Sequence, residues 1–240
     1  MYGAVRAREA RNMIRPLSPV IACAGLGTAM IALLAGLVGT GAPADPVSMT
    51  ISDHVARGGG VLRPALAVLG AASLVLVAGL RAAGAPVRGR PAAWLAGWGV
   101  ALITAAVLPV RAATGGAEAP WEAHLHHGVM IAAFVSVPVA ALQLVGRFER
   151  DERWRVAARP VEWLTLPAGL GLTALTYVML PGQGVMIGVV EGALLAVDTA
   201  ILGVLAVRLL RLTWGPVPRR GRRPAGGGAV ARPRISAAPR

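Results

Sequence analysis

Apolar residues in this chain gather into blocks of about 20, the length a helix needs to cross a hydrocarbon core of roughly 30 Å. The blocks fall at Leu17–Val38, Val61–Leu80, Pro91–Val110, His124–Val145, Val161–Leu180 and Val185–Leu210, separated by arginine, glycine and proline. The fourth shows the pattern most fully. It opens on Trp121-Glu122-Ala123-His124-Leu125-His126-His127, holds no charge from Gly128 to Val145, and ends among Arg147, Arg150, Arg153 and Arg155. Such blocks predict an all-α, polytopic transmembrane bundle of six helices over residues 17–212.

Charge sets the expected orientation. With the N-terminus inside, only Arg57, Arg63 and Arg111 fall on outer segments, and every other arginine falls on a cytoplasmic segment or an inner helix end. Arginine is retained on the cytoplasmic side of short loops. The N- and C-termini are therefore both expected in the cytoplasm, residues 1–16 as a basic segment and residues 213–240 as a disordered basic tail. A five-helix arrangement would strand that tail on the wrong side. Residues 1–38 also resemble a secretory signal, with Thr40-Gly41-Ala42 as a small-residue site. The length of the apolar run and Pro43 directly after the site favour an uncleaved helix.

Small residues mark where helices can approach closely. Ala22, Gly25, Ala29, Ala32, Gly36 and Gly39 recur at alternating steps of three and four along the first helix. Gly184, Gly188, Gly192, Ala196 and Ala200 recur every fourth residue along the sixth. In lipid such stripes allow backbone contact between helices. Pro138 and Pro167 each remove a backbone donor inside a span and predict kinks. Arg90-Pro91 and Arg159-Pro160 open two spans, each followed by a tryptophan, as helix starts anchored at headgroups do.

Composition narrows the function classes. Hydrophobic residues make up 55% of the chain and the net charge is +13. All the basic residues are arginine, and they flank apolar blocks instead of forming a basic face with interleaved aromatics, so nucleic acid is not an expected partner. The expected partners are the lipid bilayer of the cell membrane, anionic headgroups beside the arginine-rich cytoplasmic segments, and a second copy of the chain. Cys23 is the lone cysteine, so no intrachain disulfide can form. No GxSxG elbow, phosphate-cradling loop or dinucleotide fingerprint is present, so no cofactor is expected and catalysis is the less expected role.

Two acids fall inside a span. Glu191 and Asp198 are seven apart and share one side of the sixth helix. A carboxylate at such depth costs several kcal/mol unless it is protonated or paired, so both should face the bundle interior or water. The candidate site is an outward-facing polar pocket walled by Asp53, His124, His127, Tyr177, Glu191 and Asp198. The structural reading is that the acids only fasten helices together. The segment His124-x-His126-His127 offers two ligands on adjacent faces, and with Asp53, His54 or Glu122 as a third it could form a metal site. However, two ligands on one short segment are not a zinc motif. The function classes left open are a small-solute or proton-coupled transporter, a metal-dependent membrane hydrolase, and a non-catalytic assembly or sensor partner.

The segment Pro46-Val47-Ser48-Met49-Thr50-Ile51-Ser52-Asp53 follows the first span. A histidine, His126 or His127, later opens the fourth span, with Phe134 seven residues beyond His127. In these features the chain resembles the bacterial six-helix membrane family catalogued as domain of unknown function 998, over roughly residues 15–212. The resemblance implies an integral membrane protein and supplies no catalytic residue. It draws attention to Ser52, Asp53 and His127, since the outer loop 41–60 could fold back over the histidine end of the fourth helix.

The orientation has a direct test. With Cys23 replaced by serine and Ser236 by cysteine, a membrane-impermeant thiol reagent should leave intact cells unlabelled and should label the protein once the cells are opened.

Overall fold

The computed structural model describes residues 2–39, 47, 49–51, 54, 60–108, 121–180 and 184–215, with side chains from Leu17 onward except at 37–39, 122 and 123. Among them are six helices and no strand: α1 (Tyr2–Gly39), α2 (Leu62–Ala82), α3 (Arg90–Val107), α4 (Trp121–Glu149), α5 (Arg155–Met179) and α6 (Ile187–Trp214). The expected all-α bundle of six helices is what forms. Five of these helices are long and apolar enough to cross a membrane. The exception is α5, which is 25 residues long but carries Arg155, Arg159 and Glu162 near its start.

Boundaries shift where local chemistry dictates. α1 does not begin at the apolar block but runs unbroken for 38 residues, about 57 Å of helix, with the arginines of the basic segment on its first turns. Gly89, with φ of 78°, precedes α3, which carries Pro91 in its first turn. α5 starts on an Asx turn: the backbone N–H groups of Arg153 and Trp154 donate to Asp151 Oδ1 at 2.9 and 3.2 Å. Phe148 and Trp154 stack across that corner at 5.3 Å. α6 extends through Trp214, into the start of the segment expected as tail.

Each helix packs on the next in sequence, and α6 closes the ring by packing on α1. α6 also leans inward onto α2 and α4. Its buried positions include Ile187, Glu191, Leu194, Asp198, Ile201, Leu205 and Leu209, an alternation of three and four that forms one seam. On the outer surface the order is inverted from that of a soluble protein. Ile31, Val107, Leu142 and Leu170 are all more than half exposed, an apolar belt that only lipid can cover. Hydroxyls along the spans donate to carbonyls of their own helices: Ser73 to Leu69, Ser136 to Ala132, Thr104 to Val100 and Thr199 to Leu195, at 2.6–2.9 Å. Internal satisfaction of that kind is what a bilayer demands.

Arginines converge at one end. Arg147 of α4 donates to the carbonyls of Pro86 and Arg88 in the α2–α3 turn. Arg208 of α6 donates through Nε to the Arg153 carbonyl in the α4–α5 turn at 2.9 Å.

The small-residue stripes have different fates. In α1, Ala22 and Ala29 are buried, and a Cβ at Gly25 would sit 2.7 Å from Ala72 Cβ. This stripe packs α1 on α2. The tightest crossing is between α2 and α3, where a Cβ at Gly70 would lie 2.5 Å from the Gly99 carbonyl oxygen. The stripe on α6 does not pack inside the bundle. Gly184 lies in the turn before the helix with φ of 80°, Ala196 and Ala200 are exposed, and a Cβ at Gly192 would meet nothing within 4 Å.

These contacts separate two substitutions that look alike in sequence. Gly70→Val should lower the thermal stability of the detergent-solubilised protein by about 1–3 kcal/mol through overpacking. Gly192→Ala should be neutral or slightly stabilising, since alanine favours helix by up to about 1 kcal/mol over glycine.

Candidate functional site

The buried seam of α6 brings both intramembrane acids inward. Glu191 is 6% exposed and Asp198 fully buried, two turns apart on the same face. The inward placement expected of them from sequence is what the helix adopts.

Glu191 is held by the segment that follows the first span. The Ile51 backbone N–H donates to Glu191 Oε2 at 2.9 Å. The Gly188 N–H, one of the donors left free in the first helical turn, donates to the Val47 carbonyl at 3.1 Å. Met49 and Ile51 are buried beside these bonds. Two hydrogen bonds thus fasten the segment after α1 to the start of α6, and the Glu191 carboxyl supplies one of the acceptors.

Asp198 lies deeper and differs in kind. Neither of its carboxylate oxygens has a hydrogen-bond partner among the described residues. The indole N–H of Trp98 on α3 and Nε2 of His54 are likewise buried and unpartnered among them. His54 Nδ1 lies 3.0 Å from the Thr50 carbonyl. A carbonyl can only accept, so Nδ1 carries the proton and Nε2 is left as an acceptor when the ring is neutral.

The histidine end of α4 turns differently from the sequence expectation. His124 and His127 are exposed, whereas His126 is 3% exposed. His126 opens the inward seam continued by Met130, Ala133, Val137, Ala140, Leu144 and Phe148, all buried. That spacing of four and three was readable in the sequence and marks His126 as the inward histidine. Tyr177 is 66% exposed on α5. Asp53 lies outside the described residues. Of the expected pocket residues, then, Glu191 and Asp198 share the bundle interior, while His124, His127 and Tyr177 lie on exposed surfaces. Among the described residues no three His, Cys, Asp or Glu side chains gather as metal ligands.

An exposed apolar belt, hydroxyls satisfied within their own helices and a ring of long apolar helices define a multi-pass integral membrane protein. A family model described as a protein of unknown function (DUF998) matches residues 21–208. The chain belongs to that family, and the match runs from α1 to the last turns of α6. No curated protein and no solved structure matches it.

The Glu191 bond predicts a local effect. Glu191→Leu should speed exchange of the Ile51 amide hydrogen as the segment loosens, at a cost of about 1–3 kcal/mol for a buried donor left without its acceptor. Glu191→Gln, which keeps a carbonyl acceptor, should lose less.

Proposed function

We propose that this protein works in the cell membrane from the end of the bundle opposite the arginines, as a proton-coupled permease for a small polar solute. The polar site lies beneath the segment around Ile51, with Glu191 at its mouth and Asp198 below. Arginine retention on the cytoplasmic side makes this mouth face outward. The single observation that carries the reading is the Asp198 carboxyl, buried in α6 with neither oxygen partnered among the described residues. An ionisable group at membrane depth is expensive to keep and marks proton or substrate pathways. A carboxyl that served only to fasten helices would be spent on a neighbour.

The surrounding chemistry supports the same role. Glu191 accepts from the Ile51 N–H and the Gly188 N–H donates to the Val47 carbonyl, so the acid at the mouth is coupled to the segment that covers it. Pro138 in α4 and Pro160 and Pro167 in α5 each remove a helical hydrogen bond, giving those helices places to bend. Trp98 adds a buried donor. A metal-dependent hydrolase draws no support from the exposed His124 and His127.

In cells that require the protein for growth, Asp198→Asn should abolish complementation, and Asp198→Glu should retain part of it with a shifted dependence on external pH. Normal growth of the Asp198→Asn strain at every pH, with the variant present in the membrane at wild-type levels, would overturn the reading.

A further inference from the structure

At the arginine end, α5 and α6 part to leave a cavity of about 350 Å³. Val156 and Pro160 form its α5 wall, and Gly203 and Val207 its α6 wall, with Arg208 and Arg211 also lining it. Arg208 is positioned by bonds from Nε and Nη2 to the Arg153 carbonyl, which leaves Nη1 for a ligand, while Arg211 is exposed. The ion pair found among the described residues is Arg159–Glu162, and no acid lines this cavity.

Gly203 and Val207 also line a second groove of about 410 Å³ between α1 and α6, which runs past Leu26 and Met30 to Ala200. Its lining is almost wholly apolar. A Cβ at Gly203 would meet nothing within 4 Å, so the two hollows adjoin at Gly203, the one position there without a side chain, and at Val207. An apolar trough in the surface that faces lipid thus leads to a pair of cations at the level of the headgroups.

We propose that this composite groove binds an anionic phospholipid of the adjoining leaflet, its phosphate on Arg208 and Arg211 and an acyl chain along α6 over Gly203. Charge complementarity selects the occupant: arginine pairs bidentately with phosphate oxygens, and the lining carries two cations and no acid. A free phosphate would satisfy the arginines and leave the trough unused. A zwitterionic lipid would fill the trough and bring its own cation toward the arginines. The site stands apart from the outer mouth and does not rest on the permease reading.

The test uses the full chain in a non-ionic detergent, with binding read as the rise in unfolding temperature as ligand is titrated. Phosphatidylglycerol should stabilise the wild type at lower concentration than phosphatidylcholine, and inorganic phosphate alone should give no shift. Arg211→Gln should weaken phosphatidylglycerol about fivefold, the contribution of one arginine at an anionic surface, and leave phosphatidylcholine unchanged. Gly203→Leu should weaken both lipids, because its side chain fills the trough. Arg211 is exposed and Gly203 has open space beside it, so both variants should fold, which the ligand-free unfolding temperature checks. Equal stabilisation by the two lipids, or undiminished phosphatidylglycerol binding by both variants, would overturn the proposal. A shift from inorganic phosphate as large as that from phosphatidylglycerol would reassign the site to a free anion and overturn the lipid assignment.

Discussion

Lipid offers no hydrogen bonds, and that constraint orders this molecule. Every polar group carried into the hydrocarbon must find its partner within the chain. The helices meet the demand for the backbone, and the serine and threonine hydroxyls meet it by bonding the carbonyl one turn back. Arginine cannot be satisfied that way, so the guanidinium groups at the helix ends cap the turns at one face. With the ordinary polar groups accounted for, the buried exceptions acquire meaning. Asp198, Trp98 Nε1 and His54 Nε2 stand out because nearly everything around them is paired.

α6 touches four other helices, α5, α1, α4 and α2, and the two acids lie on the seam it turns toward them. Glu191 and Asp198 occupy that seam at positions that would otherwise take leucine or isoleucine. Glu191 has a tertiary task, accepting from the Ile51 amide and tying the segment after α1 to α6. Asp198, two turns deeper, has no such task among the described residues. One helix face therefore carries a carboxyl bonded to a distant segment and one with no hydrogen-bond partner among the described residues, told apart by their partners and not by their burial.

Much of this was legible in the residue pattern. Six blocks of apolar residues became six helices, the alternating stripe on α1 became its contact with α2, and the spacing of Glu191 and Asp198 put both inward. What the pattern did not reveal depends on tertiary placement. Which of His124, His126 and His127 turns inward follows from where α4 starts and which seam it joins, and the seam through Met130 and Val137 was the signal to follow. The four-residue stripe on α6 suggested tight packing, yet α1 and α5 flank it without covering it, because α6 is rotated to bury the acids and leucines instead. The bond between Ile51 and Glu191 joins residues 140 positions apart, a separation at which no local spacing speaks.

The closure of the ring by its last helix has a consequence for biogenesis. Helices leave the ribosome in order, and α1 through α5 can each dock on a predecessor as they emerge. The faces of α1, α2 and α4 that await α6 stay open until the final span is released. Until then the outer segment has no Glu191 to hold it and the interior has no floor. A ribosome stalled before the last span would leave an assembly intermediate with an unsealed inner surface, a ready substrate for membrane quality control.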